Sequence, residues 1–456
     1  MSIETNITNQ LDLLTKMRAQ IVIDVLTELE KRSATDPIFS KVDFQNIGLM
    51  GHSRGGEAVV LIDERLRGSK KFGIRAVCSL APTDILGCST TANAPLFVAA
   101  PPPKARPVSY LVMYGGLDFV LGERTAGQLD VNGSGFRLYD RSTADKAMVY
   151  STFCCHSRFN TVWEDAGKKK ALTAVPALPP GSQVENGIVL PGAVHSGSIH
   201  QALAKEYIGG FFDLTLNKDA GLEPLFNNTL ANASQQPVAI QWRFGKKLED
   251  IDNFSVPNPL RTDPAGASVV DFGSVVAPST ATVGSRALHV PHLTKALVID
   301  LAAVGGSSAD VKFKLAAGTG VKNLNDFDAI TFGLGRLYPV NDQTTINAVS
   351  PPGFVVKLTD SGGDSIDLTS TEIYQAMANG WARPAFKAKL TSGTTINITL
   401  LFQQTVTIDL VALRKKLADL PTPKFKPDLA ATLSIVFDTS AGTSEFWLNS
   451  VTLVKK

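Results

Sequence analysis

The hydrophobic period of this chain changes near residue 230, and that change allows only two kinds of structure in succession. Upstream, short apolar runs at "NIGLM", "IRAVCSLA", "VSYLVMY" and "KAMVYSTF" are separated by helix-like or loop-like stretches, as the buried strands of a parallel sheet are. Downstream, apolar residues recur at every second position. Val238, Ile240, Trp242 and Phe244 do so, then Val311, Phe313 and Leu315, then Phe354, Val356 and Leu358. A period of two predicts strand after strand with one buried face. The expected fold class is α/β plus all-β.

Two helices stand out in the first half. Ile7, Leu11, Leu14, Met17, Ile21, Val25 and Leu29 recur at three- and four-residue steps, which predicts one long amphipathic helix before any strand. In "HQALAKEYIGGFFDLTL", Leu203, Tyr207, Phe211 and Leu214 share a face, and the helix runs into the polar stretch "NNTLANASQQP". The expected division is therefore residues 1–230 for the α/β domain and 236–456 for the all-β domain. In the latter, "TDSGGDS" fits a hairpin turn, and Leu433, Ile435, Phe437, Phe446 and Leu448 supply a last strand pair. An antiparallel sandwich of jelly-roll type is expected.

Composition excludes several roles. With 456 residues, 44% of them hydrophobic, the chain can bury two or three cores. The net charge of +2, from 44 basic and 42 acidic residues, leaves no footprint for nucleic acid. "MSIETNITNQLDLL" lacks an export signal and no apolar run has membrane-spanning length. The chain as it stands is expected in the cytoplasm without a membrane span, whereas a longer precursor could be secreted. Cys78, Cys88, Cys154 and Cys155 are the four cysteines, with no CxxC pair, which is not a disulfide framework.

Chemistry concentrates at "GLMGHSRGGEAVV". A strand, then Gly51-His52-Ser53-Arg54-Gly55, then a helix lifts a serine hydroxyl out of a tight turn, with flanking glycines where the backbone crowds itself. A serine hydroxyl is a poor nucleophile at neutral pH, so it needs a base and a carboxylate that orients the base. Asp118 follows the third apolar run in "LVMYGGLDFV", and His156 follows the fourth in "YSTFCCHSRFNTVW". A parallel sheet brings both to the same edge as Ser53.

Other residues compete for these roles. Asp140 in "LYDRS" is a second candidate acid, although a turn or capping role suits it better. His195 and His200 are second candidate bases. Cys154, Cys155 and His156 adjoin, but consecutive cysteines on a strand point to opposite faces, so buried thiols are expected and no metal. No cofactor is required.

With these motifs in view, residues 10–215 resemble the α/β-hydrolase fold, in its dienelactone-hydrolase, chlorophyllase and polyester-hydrolase-like branch. "GHSRGGEA" is similar to that branch's nucleophile elbow, and "CHSRFNTVW" to its catalytic-histidine segment. The resemblance implies Ser53 as nucleophile, His156 as base, Asp118 as acid, and the Arg54 backbone amide as one oxyanion donor. It also implies that His52, Thr83, Asp84, Phe119 and Phe159 line the site. With Val120 and Trp163, the aromatic residues suit an apolar acyl or aryl group on a small or polymeric ester.

The same resemblance implies that strands normally preceding the nucleophile helix, and the loop carrying a second oxyanion donor, are absent from this chain. "NIGLM" would then present an open edge to a partner chain or a second copy. The competing expectation is a catalytically silent binding or scaffold protein whose second domain recognises a ligand, carbohydrate among the candidates. That domain resembles the galactose-binding-like jelly rolls attached to many hydrolases. Trp381 and Trp447 are candidate sugar-stacking residues, with core positions the better expectation. Asp360 and Asp364 are candidate calcium ligands, with a tight hairpin the better expectation.

Overall fold

The computed structural model describes residues 11–455, leaving out 85–107, 119–121, 126–127, 132–133, 143–144, 152, 162–183, 186–187, 190–193, 237, 246, 253–260, 263–296, 301–307, 317–319, 338–352, 376, 378–384, 391–394, 400–403 and 439–444. The chain divides into two compact units. The first comprises Met1–Glu123, Val131–Asn227 and Asn232–Gln236, and the second Arg124–Asp130, Asn228–Ala231 and Pro237–Lys456.

The first unit opens with α1, Leu11–Arg32. Its buried face is Thr15, Ala19 and Leu26, whereas Met17 is 46% exposed. The expected stripe through Met17 is thus rotated, and Ile7 lies outside the described residues. The reason is the partner. α1 packs on α2, Arg54–Leu66, and the small Thr15 and Ala19 let the helices approach, with the Thr15 hydroxyl 3.5 Å from the Glu57 carboxylate.

Four strands, β1 (Ile47–His52), β2 (Ile74–Leu80), β3 (Ser109–Gly115) and β4 (Lys146–Ser151), are neighbours in that order. All three pairings are parallel. β2 and β4 are buried along their whole length and β3 at all but its first residue, because strands covered on both faces read as continuous apolar runs. β1 differs. Only Leu49 is buried and Met50 is 44% exposed, which corrects the expectation of a buried strand. It is the terminal strand and pairs on one side only among the described residues.

Between β3 and β4 lies α3, Ser134–Arg141. The buried Lys146, first residue of β4, donates to the carbonyls of Tyr139 and Ser142, both at 2.7 Å. A cation there satisfies orphan carbonyls and complements the helix dipole. The last long helix, α4, is Gly197–Thr215, with Ser196 as its N-cap. His200, Leu203, Tyr207, Phe211 and Thr215 form its buried face. Thr215 therefore takes the place expected of Leu214, its hydroxyl bonded to the Phe211 carbonyl at 2.6 Å.

The second unit begins with β5, Val238–Arg243, in which Val238, Ala239, Ile240, Gln241 and Trp242 are all buried. A strand with one wet face was expected, so both its faces are covered instead. Next come β6 (Lys247–Asp252), β7 (Arg261–Thr262), β8 (Leu297–Asp300), β9 (Ser308–Lys314), β10 (Ala329–Leu337), β11 (Phe354–Asp360) and β12 (Ser365–Thr369). β13 (Gln404–Asp409), β14 (Ala430–Asp438) and β15 (Glu445–Lys455) complete the two main sheets.

One sheet runs β6-β15-β10-β13, with β8 also on β15, and the other β7-β9-β14-β11-β12. Every pairing in them is antiparallel. They share one core. Phe332 of β10 meets Phe354 of β11 at 6.0 Å, and Phe437 of β14 meets Phe446 of β15 at 4.8 Å. The chain is thus α/β plus all-β, the second part a sandwich.

The turn between β11 and β12 explains Asp360. Its Oδ1 accepts the Gly362 and Asp364 amides at 2.9 and 3.1 Å, and its Oδ2 the Lys426 amide at 3.0 Å. Oδ1 thus closes the hairpin, Oδ2 ties it to the segment carrying Lys426, and Asp364 is exposed, in line with the hairpin role that the sequence favoured over calcium. Trp447 is buried, and Trp381 lies outside the described residues. Among the described residues, no helix is long and apolar enough to cross a membrane.

Candidate active site

β1 delivers Ser53 to the carboxyl edge of the parallel sheet, and α2 starts at the next residue. Ser53 has φ 58° and ψ −124°, a region that side chains with a β-carbon avoid. The turn is held by its surroundings. The Ser53 amide donates to the Leu80 carbonyl at 3.0 Å, and its carbonyl accepts from Gly56 at 2.9 Å and Thr83 at 3.2 Å.

The glycine requirement is more selective than the motif suggests. A β-carbon on Gly51 would lie 2.0 Å from the Gly55 carbonyl oxygen, and one on Gly56 would lie 2.9 Å from Pro82. One on Gly55 would meet nothing within 4 Å. Gly51 and Gly56 are thus required by packing, whereas Gly55, a flanking glycine of the motif, leaves open space. The Arg54 amide is the first of α2, where helix geometry supplies no internal acceptor and the dipole favours negative charge.

Behind the turn lies Glu57, fully buried on the first turn of α2. Its carboxylate accepts the Thr83 hydroxyl at 2.7 Å. Thr83 therefore supports the turn twice, by its hydroxyl and by its amide, instead of facing a substrate as expected. Asp84 is also fully buried. Glu57 carries a signal the motif did not use: with Asp63 it is one of two ionisable residues in the buried run Gly56–Asp63.

Asp118 sits three residues past β3, and His156 five past β4. Their loops are tied together, since the Leu117 amide donates to the Cys154 carbonyl and Gly116 to Ser151, both at 2.8 Å. Asp118 Oδ2 and His156 Nδ1 are 2.8 Å apart and both side chains are fully buried. A carboxylate only accepts, so Nδ1 carries the proton and Nε2 is the basic nitrogen. The His52 ring lies 4.6 Å from that of His156 at 36°, which sets the neighbour of Ser53 against His156. Burial, then the charge of His156, holds the His52 pKa well below the usual imidazole value. Phe159 packs at 6.5 Å from His52 and 5.0 Å from His200. Phe119, Val120 and Trp163 lie outside the described residues.

The competing candidates are placed elsewhere. Asp140 is on α3, which leads into the amino end of β4, opposite the Ser53 edge. His200 uses both ring nitrogens structurally: Nδ1 donates to the Ser196 carbonyl at 2.9 Å and Nε2 accepts the Cys155 amide at 2.8 Å. Burial lowers its pKa to about 4. His195 is lowered too, again by burial, and its backbone is engaged by Phe153 and Arg158. Cys154 and Cys155 lie beyond the end of β4, so strand alternation does not part them. Both are buried, and burial pushes the Cys154 thiol up to about 12.

No protein-family model and no curated protein matches the chain. Similar solved structures include a ferulic acid esterase from Streptomyces cinnamoneus at 19% identity and TM-score 0.27, with 45% of this chain and 49% of that one covered. The chain thus spans about half the length of that esterase. A family 30 carbohydrate-binding module of a cellulosomal cellulase of Clostridium thermocellum matches at 13% identity and TM-score 0.26, covering 46% of this chain and 98% of the module. A family 11 module of the same organism matches at 11% and 0.23, covering 46% and 95%. At these values the likenesses carry no argument about function.

Proposed function

We propose that the first unit is a serine hydrolase of carboxylic esters, built as part of an α/β-hydrolase fold, and that the second is a jelly roll. The observation that carries this is the buried 2.8 Å pair of Asp118 and His156, its ring against His52 beside Ser53. In this reading His156 Nε2 takes the Ser53 hydroxyl proton, and Ser53 Oγ attacks the ester carbonyl carbon. The Arg54 amide donates to the oxyanion. The intermediate collapses with cleavage of the ester C–O bond; His156 gives its proton to the departing alkoxide, which leaves as the alcohol, and the acyl group stays on Ser53 Oγ as the acyl-enzyme. A water, deprotonated by His156, then attacks the acyl carbonyl; the bond to Ser53 Oγ breaks, His156 returns the proton to that oxygen, and the acid is released. Asp118 holds the tautomer throughout. An apolar acyl or aryl group against Phe159 fits the site best.

The test is labelling of the purified chain with a fluorophosphonate probe, with p-nitrophenyl acetate turnover beside it. Ser53→Ala and His156→Ala are expected to abolish both. A folded wild-type protein that neither labels nor hydrolyses the ester refutes the proposal.

A further inference from the structure

The segment 153–160 that carries His156 is tied at several points to the start of α4. The His195 amide donates to the Phe153 carbonyl at 3.0 Å, and the Arg158 guanidinium donates back to the His195 carbonyl. The Phe159 ring packs edge-on to His200 at 5.0 Å. The link next to the base is made by a side chain. His200, fully buried, accepts the amide of Cys155, the residue before His156, on Nε2, and donates from Nδ1 to the Ser196 carbonyl.

Given the hydrolase role proposed above, we propose that His200 is a positioning residue for His156, a latch that fixes the base loop to the N-terminus of α4. Its chemistry is specific. The Cys155 amide, 45 residues away, needs an acceptor, and the Ser196 carbonyl, which already accepts the His200 backbone amide at 3.1 Å, takes a second bond from the ring. Neutral imidazole with the proton on Nδ1 supplies that acceptor and that donor. Asp118 fixes the His156 ring from one side, and the latch fixes its backbone from the other. Both constraints act on the angle from which Nε2 meets Ser53, and displacement of such a group by about 1 Å costs about 100-fold in rate.

The experiment compares fluorophosphonate labelling and p-nitrophenyl acetate kinetics in wild type, His200→Phe and His200→Gln, with folding followed by circular dichroism. Phenylalanine keeps the ring volume and loses both hydrogen bonds. Glutamine offers an amide oxygen to Cys155 and an amide N–H to Ser196. The expected result is a drop of about 10- to 100-fold in kcat and labelling rate for H200F, with KM unchanged, and recovery in H200Q. A folded H200F that labels like wild type overturns the proposal and leaves the hydrolase reading standing. If H200F does not fold, H200N replaces it. Asparagine keeps a donor for Ser196 but is too short to reach Cys155, so slow H200N beside normal H200Q supports the latch, and equal rates refute it. A wild type that does not label removes the hydrolase reading itself, and the positioning role with it.

Discussion

Acid should loosen the first unit, because its buried histidines are held neutral in the fold and take up protons on unfolding. His200 has an ordinary pKa of 6.5 in an open chain and about 4 in the folded protein, chiefly because burial penalises its charge. Between those values the unfolded chain binds a proton that the native protein does not, so stability falls as the pH falls. Full displacement of one proton is worth about 1.4 kcal/mol per pH unit. Integrated from pH 7 to pH 5, His200 alone removes about 2 kcal/mol. Against a total of about 5–15 kcal/mol that is a large share. His52 and His195 are displaced in the same direction by burial, so they add to the loss. The assay is hydrogen exchange by mass spectrometry at amides of β2 and β3, corrected for the intrinsic pH dependence, which follows this unit separately from the sandwich. His200→Gln has no titrating group and should lose about 2 kcal/mol less than wild type over that range. Equal losses in the two proteins would refute the assignment of His200 as a buried neutral imidazole.

Three further outcomes are expected. Asp118→Asn should fold normally and lose about 10⁴-fold in kcat on p-nitrophenyl acetate, because an amide can turn an N–H toward His156 Nδ1 and impose the wrong tautomer. Gly51→Ala should abolish cooperative melting of the first unit, since its β-carbon would sit 2.0 Å from a carbonyl oxygen, whereas Gly55→Ala should melt like wild type. Asp360→Ala removes the acceptor of three backbone amides, two in the hairpin and one at Lys426, and should cost about 1–2 kcal/mol in urea unfolding, the exposed amides turning to water. The tryptophan fluorescence of Trp242 and Trp447 reads that transition in the second unit.

The parts of this architecture that were legible in the sequence are those that local chemistry writes down. "IRAVCSLA" and "VSYLVMY" became β2 and β3 because a strand covered on both faces must be apolar throughout. Ser53, Asp118 and His156 stood out in the sequence as candidates because each follows an apolar run, and those runs are strands pointing in the same direction. What failed was decided at a distance. The buried face of α1 turned toward Thr15 and Ala19 because α2 packs there. Thr83 was expected to face a substrate, but its partner Glu57 lies 26 residues away in the chain. The latch joins residues 45 apart, and nothing in their spacing announces it. Gly55 was judged by its place in a motif, whereas the space around it depends on how the turn closes.

The backbone angle at Ser53 sets the fold against the chemistry at a single position. A β-carbon at φ 58° costs about 1–2 kcal/mol, which glycine does not incur. Ser53→Gly should therefore raise the melting temperature while removing the hydroxyl, and Ser53→Ala should leave it nearly unchanged. A library of this chain sorted by heat resistance alone would accumulate glycine at position 53 and lose the hydroxyl there. Any directed evolution of it has to score the Ser53 hydroxyl by its reaction with a probe in every round, since thermostability rewards its loss.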